Sequence, residues 1–154
     1  MSRTEYLLSF LLSRLLFLVL EVGLFVGFGM LVFDVPLRGS VLALVTVCLV
    51  GALAFSALGL LAASRARTVE AVSGLANLIM LPMWILSGVF FSSANFPAIV
   101  QPVVQALPLT AAVDALRAIM LQGASLGAVG GELAVLAAWI VVPFAVALRI
   151  FRWR

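Results

Sequence analysis

Apolar residues along this chain run together in blocks rather than alternating with polar ones. Four blocks are long: 15–33, broken only by Glu21; 41–63, without a charge; 72–91, with Pro82 inside; and 133–148, followed by the aromatic Phe151 and Trp153. Crossing a hydrocarbon core of about 30 Å takes roughly 20 apolar residues at 1.5 Å each. Backbone in lipid must satisfy its own hydrogen bonds, so each block predicts a spanning helix. Arg3 ahead of an apolar run has the outline of a secretory signal. The run is too long and no small-residue cleavage pattern follows, so a retained helix is expected.

Between the third and fourth blocks lie about 40 residues that are apolar yet do not read as a span. Asn95, Phe96 and Pro97 supply turn and cap chemistry, with Pro97 suited to a first helical position. A helical run follows to Leu107, then Pro108, then a second run to Gln122 with Gly123 as its stop. Leu109, Val113, Leu116 and Met120 recur at helical spacing, while Asp114 and Arg117 stand three apart on another side, close enough to pair. Neither piece is long enough to cross. The expectation is an external re-entrant or interfacial hairpin over about 97–122, broken at Pro108.

The chain has 154 residues, of which 66% are hydrophobic and 10% charged. That balance is outside the soluble range and fixes the class as an all-α integral membrane protein. There is no His, and all nine basic residues are Arg. Imidazole chemistry, Schiff bases and a phosphate-binding P-loop lysine are therefore excluded, and no catalytic residue, metal or cofactor is expected. The single cysteine, Cys48, cannot form an intrachain disulfide. With four passes both termini share a side. That side collects Arg3, Arg14, Arg65, Arg67, Arg149, Arg152 and Arg154, against Arg38 and Arg117 on the other. The positive-inside rule then places both termini in the cytoplasm. The net charge of +3 is a topology signal and calls for no nucleic-acid partner.

The order Leu81-Pro82-Met83-Trp84-Ile85-Leu86-Ser87-Gly88-Val89-Phe90-Phe91, then Phe96-Pro97, then Leu107-Pro108-Leu109-Thr110, then Asp114-Ala115-Leu116-Arg117 resembles the C-terminal half of type-2 ABC transporter permeases. The resemblance implies a permease component of an ATP-driven exporter in the inner cell membrane, forming part of the translocation path and coupled to a separate ATP-binding subunit. Family members typically have six spanning helices, so this chain corresponds to helices three to six. The expectation is either a fragment or truncated product, or a chain completed by a second polypeptide. Partners implied are the ATP-binding subunit, the lipid bilayer, and a second permease copy or a chain supplying the two absent helices. The competing reading is a truncated, non-transporting membrane scaffold or assembly subunit.

Particular residues carry these readings. Met83, Trp84 and Phe91 are candidates for the translocation path, against a packing or lipid-facing role. Pro97, Pro108, Asp114 and Arg117 would shape the external gate, the two charges by an ion pair or helix cap. Arg65, Arg67 and Glu70 are candidates for cytoplasmic coupling, and also act as topology determinants. Glu21, inside the first span, either snorkels or pairs with an arginine such as Arg65, or handles substrate or protons. Gly23 with Gly27, and Gly59 with Ala63, offer small-residue steps for close helix approach.

Overall fold

The computed structural model describes residues 3–65, 68–89 and 95–150. These residues form six helices in chain order: α1 (Arg3–Phe33), α2 (Val41–Arg65), α3 (Val69–Leu86), α4 (Gln101–Ala106), α5 (Pro108–Gln122) and α6 (Gly130–Ile150). No strand occurs among the described residues. Among the described residues four stretches are long and apolar enough to cross a membrane: Leu12–Phe33, Val41–Ser64, Val69–Leu86 and Gly130–Ala147. The third stops at Leu86 because Ser87 caps it, its N–H bonding the Met83 carbonyl, and Gly88 then turns left-handed at φ 81. It starts earlier than the apolar run predicts, because Thr68 caps the Ala71 N–H from outside.

The chain divides into two compact units, Met1–Leu37 and Arg38–Arg154. In the first, α1 ends where Asp34 turns left-handed at φ 50 and the Val35 N–H reaches back to the Gly29 carbonyl. Pro36 then prevents the helix from resuming. Near that end the Phe28 and Phe33 rings meet edge to face at 6.0 Å. Glu21 lies nine residues into the Leu12–Phe33 stretch, roughly 13 Å from its start and near its middle.

In the second unit α2 packs along α6, and α5 lies against both. Their shared core is Ala54, Ala111, Ala112 and Leu136, edged by Val50, Val135, Trp139 and Ile140. Lipid gives helices no hydrophobic reason to associate, so small side chains that let backbones approach decide where they meet. This revises the sequence expectation for α5. Its fully buried face is Thr110, Ala111, Ala112, Ala115 and Ile119, whereas Leu109, Val113, Leu116 and Met120 are only half-buried. Gly59 has open space where a side chain would stand, so close approach along α2 falls at Ala54 instead. Hydroxyls inside the spans turn onto their own helix: Thr46 donates to the Leu42 carbonyl at 2.8 Å and Ser56 to that of Ala52 at 2.7 Å.

The segment before α2 is strapped to the far end of α5. The Arg38 N–H bonds the Met120 carbonyl at 2.9 Å, and Gly39 lies so close to Ile119 that any Cβ would strike its carbonyl oxygen. Gly123, left-handed at φ 68, closes α5 with its N–H on the Ala118 carbonyl. Gly39→Ala should therefore lower unfolding stability by about 1–3 kcal/mol, the usual cost of overpacking. Gly59→Ala, entering open space, should leave the thermal midpoint in detergent unchanged or raise it.

Candidate functional site: the hairpin between α3 and α6

A turn at Pro97 opens the hairpin. Its carbonyl accepts from the Val100 N–H at 2.9 Å and the Gln101 N–H at 3.3 Å, and the Gln101 side-chain amide donates to the Phe96 carbonyl. Pro97 thus belongs to the turn rather than to a first helical position, and α4 is shorter than the run before Pro108 suggests, with Pro102 in its first turn. Leu107 is extended at φ −73, ψ 136 because a residue preceding proline is driven from the helical region. Pro108 then starts α5 without an N–H to offer.

The break leaves α4 with terminal carbonyls that no helix can satisfy. The Trp139 indole N–H donates to the Ala106 carbonyl at 2.7 Å. Trp139 stands nine residues into α6 from Gly130, roughly 13 Å along its axis. Ala54, packed in one core with Ala111 and Ala112, stands thirteen residues into α2, roughly 20 Å along it. The hairpin break therefore lies beside the middle turns of α6 rather than at its end.

Arg117 ties the hairpin to α3. Its Nη2 donates to the Gly88 carbonyl at 3.2 Å, while Nη1 stands 3.8 Å from Asp114 Oδ1, the one ion pair among the described residues. Burial pushes the Asp114 carboxyl above its ordinary value; Arg117 opposes the shift and the Glu132 carboxylate adds to it. Asp114, Thr110 and Gln105 line a cleft of about 400 Å³ whose other wall is Gly131, Glu132 and Val135 of α6. On the opposite side of α5 a groove of about 310 Å³ holds Phe55, Asn77, Met80, Trp84 and Leu109.

Asp114 and Arg117 are thus brought together with the end of α3, while Pro108 stands at the start of α5, nine residues before Arg117. Trp84 is 52% exposed in the groove, whereas Met83 is buried among side chains at 4%. Phe91 and Arg67 lie outside the described residues. Arg65 ends α2 and Glu70 sits in the first turn of α3, at the end of α2 remote from the hairpin. Glu21 belongs to the first unit. Sequence reasoning missed Trp139, Asn77 and the role of Glu132. Asn77 could have been found as the lone amide in an apolar block; the Trp139 bond, 33 residues apart, leaves no local signal.

A family model described as ABC-2 type transporter matches residues 1–121. Among curated proteins the chain is similar to Nodulation protein J of Rhizobium meliloti (strain 1021), 35% identical over 73% of this chain and 42% of that protein. It is also similar to Nodulation protein J of Rhizobium leguminosarum bv. viciae, 33% identical over 66% of this chain and 39% of that protein. The chain thus spans about two fifths of the length of these relatives. No solved structure matches it.

Trp139→Phe should cost about 1 kcal/mol of stability by leaving the Ala106 carbonyl without its donor, and should raise the reactivity of a cysteine placed at position 107. Asp114 gives a pH signature. Its folded value is raised, so its contribution is full below the unfolded value of about 3.9 and is lost as pH rises through the folded one. In denaturant titrations from pH 3.5 to 7 the native chain should lose stability relative to Asp114→Asn as pH rises. A rise with pH instead would mean that pairing with Arg117 outweighs burial, and a flat difference that the two cancel.

Proposed function

Because the chain belongs to the ABC-2 type transporter family, we propose that it is the membrane permease component of an ATP-driven exporter. The family match over residues 1–121 carries this reading. The motor is a separate ATP-binding subunit, since no lysine is present to hold nucleotide phosphates. It docks at the end of α2 and the start of α3, where Arg65, Arg67 and Glu70 cluster in sequence, on the cytoplasmic side with both termini. The arginine distribution supports that orientation in the inner membrane.

The path runs along the α3 side of the hairpin. Trp84 lines the groove, Met83 is buried in the same helical turn, and Phe91, outside the described residues, joins them by its place in the sequence. The hairpin shaped by Pro97 and Pro108, and fastened to α3 through Arg117 and Asp114, gates the outer exit. Glu21, near the middle of its stretch, pairs within the assembly rather than snorkelling toward the cytoplasm. The permease works with further membrane helices, from a longer protein, a second polypeptide or a second copy.

Affinity purification from native membranes should recover an ATP-binding subunit with the chain, and its ATPase activity should change on association. Recovery of the chain without any such subunit counts against transport and favours a scaffold. A single cysteine at position 95 should label from outside intact cells, and one at position 65 only after permeabilisation. The reverse pattern would overturn the orientation.

A further inference from the structure

The cleft between the hairpin and α6 has no part in the path described above. Its two charged lining residues are both acidic, Asp114 from α5 and Glu132 from the first turn of α6. Arg117 is loosely placed at 3.8 Å from Asp114 and gives its other nitrogen to the Gly88 carbonyl. Glu132 has no ion-pair partner among the described residues. Thr110 lines the same cleft, is 1% exposed, and its hydroxyl has no hydrogen-bond partner. A helical threonine ordinarily turns to the carbonyl four residues back; here that carbonyl is Ala106's, already engaged by Trp139.

The chemistry of the lining narrows the occupant. A bare metal ion needs a tight cage, about six to eight oxygens at 2.3–2.6 Å for calcium. No group of three or more His, Cys, Asp or Glu that could hold a metal occurs among the described residues. The cleft, about 400 Å³, has room for far more than one ion, since a water takes about 30 Å³. An ammonium group instead carries one charge and up to three directional donors, and needs only a few acceptors. Two carboxylates and an idle hydroxyl supply them.

We propose that this cleft binds a primary ammonium group, with Glu132 and Asp114 as counter-charges and the Thr110 hydroxyl as an acceptor. This goes beyond the transport reading and does not depend on it, because binding is measured without nucleotide or motor subunit. The group can come from a free amine or from the headgroup of an ethanolamine lipid, and both present the same chemistry.

The full chain in phosphatidylcholine nanodiscs is titrated with hexylammonium by calorimetry, with hexanol and empty discs as references. In parallel, native mass spectrometry reads retention of phosphatidylethanolamine from mixed discs. Saturable binding of hexylammonium alone identifies a free amine; retention of the ethanolamine lipid alone identifies a headgroup; both together also support the site. Glu132→Gln should weaken binding at least tenfold and Thr110→Val several-fold, with Glu132→Asp recovering part of the loss. Glu132→Gln lies in the first turn of α6, outside the packed core, so it tests the site if Asp114→Asn misfolds. Absence of saturable binding of either probe, equal response to hexanol, or unchanged affinity in Glu132→Gln would overturn the proposal.

Discussion

A backbone carbonyl freed where a helix breaks loses its helical partner and is held in place only by a donor from elsewhere in the fold. At the α4–α5 break that donor is the Trp139 indole, 2.7 Å from the Ala106 oxygen. Leu107 is extended because Pro108 follows it, and Pro108 has no N–H to return. Without an outside partner the hairpin would be driven toward the interface, where water solvates its ends. With it, α5 can stand on end between α2 and α6 and present Asp114 and Arg117 to the elements around it.

The other end of α5 is fixed by different means. Gly39 admits the Ile119 backbone, and the Arg38 N–H takes the Met120 carbonyl. Between these anchors the helix is seated by alanines, Ala111, Ala112 and Ala115, against Ala54 and Leu136. Directional bonds set the two ends, and close approach of backbones sets the middle. Of the larger residues on α5, left half-buried, Leu109 lines the groove beside α3.

The four apolar blocks and the break at Pro108 were legible in the sequence because length, hydropathy and proline act locally. The pairing of Asp114 with Arg117 was legible for the same reason, at three residues apart. The buried face of α5 was misread, since an apolar stripe marks the core in water but not in lipid, where alanine and glycine seat helices. The short α4 was obscured by two prolines, Pro97 and Pro102, either of which could have opened it. Contacts such as Trp139 with Ala106 and Arg117 with Gly88 join residues 33 and 29 apart, and no local pattern announces them.

An indole N–H is a lone donor with no acceptor beside it, so it can hold one carbonyl and cannot slide to a neighbour by half a residue. Any displacement of the hairpin along α6 must therefore release Ala106 altogether before another carbonyl is caught. The hairpin position is stepwise, like a detent rather than a spring. Because the same indole is the chromophore of the unit's core, each step would be written in its own fluorescence.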